Sequence, residues 1–90
     1  MNDLLTPEDS KVVTEILTKE LDVKVDQLVP EARLIEDLGA DSLMLMEISM
    51  ALEERFSLVI PDERIERVHT VSDVYELLAD LQQDRSSPRM

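Results

Sequence analysis

Apolar residues at helical spacing run through most of this 90-residue chain, and that repeat limits its fold more than any other feature. Val12, Val13, Ile16, Leu17 and Leu21 recur every three or four residues, the interval that gathers side chains on one face of an α-helix. Thr6 precedes them as a candidate N-cap, and Pro7 suits the first helical position, where its missing N–H costs nothing. Asp9 stands at capping-box spacing, although Glu or Gln is usual there. The pattern predicts a first helix over residues 7–21. A second is predicted over 41–56, with Asp41 as N-cap and Ser42 at its first position; "SLVIP" ends it. "PDERIERV" reads as a short third helix or a single turn. Val71, Val74, Leu77, Leu78 and Leu81 give a last helix its apolar face, with Thr70 as cap and Asp73 three residues on.

Between the first two helices lie about twenty residues without one clear period. Leu28, Leu34, Ile35 and Leu38 are too many apolar side chains for a free loop, so a packed connection is expected, pinned by those four. The whole reads as one small all-α domain over residues 1–82, followed by a polar flexible tail over 83–90, "QDRSSPRM".

Charge narrows the partners. With 21 acidic against 9 basic residues the net charge is −12, and Phe56 and Tyr75 are the only aromatics. Nucleic-acid binding needs a basic patch and stacking rings, and neither is present. A negative membrane surface would repel such a chain. Proteins with basic patches are the natural partners. The absence of cysteine removes disulfides, thiolate metal sites and a thiol nucleophile. The start, "MNDLLTPEDS", shows neither a secretory signal nor a membrane span, so a cytoplasmic monomer is expected.

The second helix carries two apolar stripes. Turned at about 100° per residue, Leu45, Ile48, Ser49, Leu52 and Phe56 fall on one side as a core stripe. Leu43, Met46 and Met50 fall nearly opposite, among Glu47, Glu53 and Glu54, with Met44 and Ala51 on a flank. Scattered exposed apolar residues are common. A contiguous set that includes two methionines and is rimmed by acids is also what a binding face looks like.

Ser42 follows "DLGAD", which holds the one glycine of the chain, Gly39. A nucleophilic serine would need a base and an oxyanion hole. The single histidine, His69, reads as structural at its helix junction, and no Gly-x-Ser-x-Gly elbow occurs, so no catalytic residue is expected. No metal-ligand motif is present either. A phosphate-linked group is welcome at a helix N-terminus, and Gly39 lets the chain turn sharply beside it. Position alone favours the plainer reading, in which Asp41 and Ser42 are capping residues and Gly39 a turn residue.

"EDLGADSL", residues 36–43, closely resembles the attachment motif of acyl carrier proteins, and the likeness continues through "MEISMALEERFSLVIPDERIERVHTVSDVYELL". It covers roughly residues 8–81. The resemblance implies a four-helix bundle of acyl-carrier type with a long first connection and a short third helix. It implies a 4′-phosphopantetheine arm on Ser42, installed from coenzyme A by a phosphopantetheinyl transferase, with Gly39 and Asp41 as part of the motif. Acyl groups would ride on the arm as thioesters, for synthase and acyl-transferring enzymes of fatty acid, lipid or polyketide biosynthesis. Leu43, Met46 and Met50 match the family's apolar partner-facing positions, and Glu47, Glu53 and Glu54 its acids. The carrier itself catalyses nothing.

Met44 stands where many fatty-acid carriers have an acid, Arg55 interrupts the usual acidic run, and Arg64 and Arg67 add positive charge to the third helix. These departures point to a specialised member. Peptidyl carriers often read Gly-Gly-x-Ser, unlike the Gly39-Ala40-Asp41-Ser42 here. The competing reading is an unmodified adaptor of the same fold that uses the patch on the second helix.

Overall fold

The computed structural model describes residues 5–86, with side chains described through residue 82. Its described residues form α1 (Pro7–Leu21), α2 (Ser42–Phe56), α3 (Asp62–Ile65) and α4 (Val71–Ser86), with a 3-10 turn at Val25–Gln27. They fold into an all-α bundle with a long first connection and a short third helix, as the apolar spacing and the resemblance predict.

Local chemistry sets the helix starts. Thr6 Oγ1 accepts the Asp9 N–H at 3.1 Å and begins α1. The Asp9 carboxylate does not close the box; it accepts from Gln82 Nε2 at 3.1 Å and so ties α1 to α4. The box at α4 is reciprocal. Thr70 Oγ1 accepts the Asp73 N–H at 3.2 Å, while Asp73 Oδ2 accepts the N–H of Thr70 at 3.1 Å and of His69 at 2.9 Å. Burial pushes the Asp73 carboxyl upward, but the donors from His69 and Thr70 outweigh it and hold the carboxyl below its usual value. The ends of α1 and α2 are closed by left-handed residues that are not glycine, Asp22 at φ 56° and Ser57 at φ 54°.

One boundary moves. α4 continues through residues 83–86, four residues into the stretch expected to be a tail. Gln83, Asp84 and Arg85 are all compatible with a helix, and the first residue that cannot continue one is Pro88. The rest of the expected tail, 87–90, lies outside the described residues.

The core is aliphatic. Val13, Leu17, Leu34, Ile48, Leu52, Val71 and Leu78 are its most deeply buried side chains. Tyr75 is buried with its hydroxyl 2.6 Å from Thr14 Oγ1, so its polar end has a partner. The long connection is fastened rather than free. Leu34 N–H donates to His69 O at 2.8 Å, Val71 N–H to Ala32 O and Ser72 N–H to Pro30 O at 3.0 Å each, and Arg33 bridges Thr70.

Of the four apolar residues expected to pin that connection, Leu34 and Leu38 are buried and Leu28 is half-buried, but Ile35 is 50 % exposed. Residues 34–38 form a turn, and this puts Ile35 on the side away from Leu34 and Leu38. The stripe of α2 also needs correction at its ends. Ile48, Ser49 and Leu52 are buried, while Leu45 and Phe56 are half-buried against the core edge.

Candidate functional site

The connection delivers Ser42 to the surface. Asp37 Oδ2 accepts the Arg33 N–H at 2.8 Å and closes a turn in which Leu38 N–H donates to Arg33 O and Ala40 N–H to Leu34 O. That backbone bond, with the Arg33 guanidinium 3.5 Å away, holds the Asp37 carboxyl below its usual value. Gly39 then reverses the chain at φ 80°, between the buried Leu38 and Ala40. A Cβ at Gly39 would meet nothing within 4 Å, so the backbone angle, not crowding, asks for glycine here.

Asp41 is the N-cap of α2, and its Oδ1 accepts the Met44 N–H at 2.8 Å. The Asp41 carbonyl accepts the Leu45 N–H at 2.9 Å. Ser42 is therefore an exposed hydroxyl in the first turn of a fifteen-residue helix, a turn whose leading N–H groups have no partner within the helix. Its neighbourhood favours a negative charge through the helix dipole.

Ser42 also stands at the wall of a cavity of about 400 Å³, completed by Ile35, Leu45, Met46, Asp62, Ile65, Glu66, Val68 and His69. The lining is mostly aliphatic, with Asp62, Glu66 and His69 as its ionisable groups. Such a lining can shelter an apolar chain that begins at Ser42. An exposed hydroxyl at a helix start, beside an apolar cavity, fits a phosphate-linked arm that carries apolar cargo. Ile35 and His69 belong to this wall, whereas their sequence positions predict a pin of the connection for the first and a structural residue at a helix junction for the second. The signal for both is weak, because it takes the fold of the connection and α3 to bring them to Ser42.

The outer stripe of α2 is present as spaced. Leu43, Met46 and Met50 are 67 %, 56 % and 59 % exposed. Glu47 and Glu54 are exposed beside them, and with Met50, Ala51 and Glu53 they border one surface depression. Glu53 lies on this border too, but less openly than Glu47 and Glu54. It is half-buried, and its Oε2 accepts the Ile60 N–H at 2.7 Å, so its carboxylate holds the segment between α2 and α3.

The phosphopantetheine attachment site family matches residues 11–78. The acyl carrier protein of Helicobacter hepaticus is 50 % identical over 62 residues, which cover 69 % of this chain and 82 % of that one. The acyl carrier protein of Syntrophobacter fumaroxidans is 45 % identical over 67 residues, covering 74 % and 83 %. Among solved structures, the acyl carrier protein from Enterococcus faecalis superposes with a TM-score of 0.71 at 30 % identity, over 82 % of this chain and 94 % of that one. These matches span the cap, the serine and the helices around them, and the chain thus belongs to the acyl carrier protein family, whose members are carriers rather than enzymes and whose cofactor is 4′-phosphopantetheine.

Proposed function

We propose that Ser42 is the residue that takes the arm and that the chain carries acyl intermediates between enzymes of fatty acid, lipid or polyketide synthesis. The observation that carries this reading is the exposed Ser42 hydroxyl at the head of α2, beside the apolar cavity. On loading, Ser42 Oγ loses its proton and bonds to the phosphorus nearer the pantetheine of coenzyme A. The pyrophosphate bond breaks, and adenosine 3′,5′-bisphosphate leaves. The bound arm supplies the thiol that this cysteine-free chain lacks. Asp41 holds the first turn of α2 and Gly39 its approach, so both serve the geometry of Ser42 rather than the chemistry.

Partner enzymes dock on Leu43, Met46 and Met50, with Glu47 and Glu54 drawing in basic side chains. Glu53 contributes charge nearby but is committed to Ile60. Residues 11–78, which match the family, lie within the expected domain of 1–82. No helix of the described residues is long and apolar enough to cross a membrane. The cytoplasm, where a newly made chain meets coenzyme A and its transferase, is the proposed setting.

The test is intact mass after incubation with a phosphopantetheinyl transferase and coenzyme A. A gain of one phosphopantetheine, absent in Ser42→Ala, is expected. No gain, under conditions that load a control carrier, would leave the adaptor reading in its place.

A further inference from the structure

We propose that His69 is a positioning residue for the arm: as an imidazolium it pairs with the phosphodiester on Ser42 across the mouth of the cavity. The proposal rests on Ser42 as the attachment residue. Among the residues that line this cavity, His69 is the only one able to carry positive charge; Asp62 and Glu66 are acids, and the remainder are apolar apart from Ser42. A phosphodiester stays anionic across the working pH range. Asp62 and Glu66 repel it, so His69 is the one group of the wall that attracts it. At about 400 Å³ the cavity is near the small end of ligand pockets, and Ser42 and His69 both line it.

The placement of His69 is prepared by its backbone. Its N–H donates to Asp73 Oδ2 at 2.9 Å, and its carbonyl accepts the Leu34 N–H at 2.8 Å. Its side chain is exposed, and its ring makes no hydrogen bond among the described residues. The ring has the Asp73 carboxylate nearby as a charge neighbour but no hydrogen bond to give up, and on a backbone held at both ends it loses little freedom when it meets an anion. A charge-assisted hydrogen bond is the form the contact takes.

Histidine changes charge between about pH 5 and 8. The charged groups around His69 are Asp62 from α3, Glu66 at its C-cap, Asp73 from α4, Arg67 two residues earlier, and Arg33 on the bridged connection. Carboxylates and guanidiniums hold their charges across that window. The imidazole is thus the group whose proton the arm senses. The pair forms when His69 is protonated and dissolves as pH rises. By linkage, the phosphodiester raises the midpoint of the imidazole.

The experiment is ³¹P NMR of the loaded protein between pH 5 and 8, with the His69 ring followed in parallel in apo and loaded forms. The expected result is a phosphodiester resonance that moves with pH at the same midpoint as the ring, and a ring midpoint higher in the loaded form than in the apo form. In His69→Gln, which keeps both backbone bonds, the movement of the ³¹P resonance is lost. A loaded wild-type protein with a flat ³¹P resonance overturns the proposal while leaving Ser42 as the attachment residue. A titration unchanged in His69→Gln does the same. A chain that takes no arm at all overturns the attachment reading, and this proposal with it.

Discussion

Ser42 and Asp73 show how differently two polar residues at helix starts are used. The Ser42 side chain makes no hydrogen bond among the described residues, and the cap of α2 is supplied by Asp41. Ser42→Ala is therefore expected to keep its helical circular dichroism and to melt within about 0.5 kcal/mol of the wild type, as exposed substitutions do. A Ser42→Ala chain that unfolds would show that the hydroxyl supports the bundle. Asp73 is the opposite case, because its carboxylate accepts from His69 and Thr70 while its own N–H is held by Thr70. Its carboxyl is lower in the folded chain than in the unfolded one, so its contribution is present above about pH 3.9. That contribution fades as pH falls through the folded value. The stability gap between wild type and Asp73→Asn should be full near neutrality and close towards low pH, as read by denaturant melts at stepped pH. A gap that stays constant with pH would mean that the ionised form is not what α4 uses.

At the scale of one element, α2 serves two surfaces and an internal tether. Met46→Ala should raise the dissociation rate of a docked transferase by roughly five- to thirtyfold, about 1–2 kcal/mol, with little dependence on salt. Glu47→Lys should slow association instead, most strongly at low salt, because exposed charge is screened over about 8 Å at physiological ionic strength. Loading kinetics of both variants across a salt series check the pair; if neither changes at low salt, the outer stripe is not a docking face. Glu53 separates from its neighbours on structural grounds. Losing a hydrogen bond to a charged group costs about 1.5–3 kcal/mol, so Glu53→Ala should lower the stability of the fold, whereas Glu54→Ala should not. Equal melting of the two variants would show that the bond from Glu53 to Ile60 adds nothing to stability.

At the scale of the whole molecule, an arm on Ser42, as proposed, is expected to deliver its cargo first to the cavity beside it. Ile48 and Leu52 are sealed in the core, and the half-buried Leu45, Ile65 and Phe56 lie at its edge. A chain that starts at Ser42 meets Leu45, Met46, Ile65 and Val68 first. NMR resonances of Leu45, Ile65 and Val68 should shift between the loaded form and a long-acyl form. Ile48 and Leu52 should follow only when the chain is long enough to part α2 from the core. Aliphatic walls suit this, since they hold few interlocking rings to be broken. Shifts confined to the surface around Ser42 would show that the cargo stays in solvent.

Much of this was legible in the residues themselves. The period of Val13, Ile16 and Leu17, the Thr6, Asp41 and Thr70 caps, and the two stripes of α2 are short-range properties, because spacing along a helix fixes which side chains share a face. A sharp turn at Gly39 was legible too, since glycine accepts angles other residues avoid, and the structure gives that turn a left-handed φ of 80°. The tertiary structure decided the rest. Ile35 is outside, Glu53 is turned to Ile60, and His69 shares a wall with Ser42 because the connection bonds to the start of α4 and α3 closes over it. Those placements depend on contacts between residues far apart in the chain, and no local period records them.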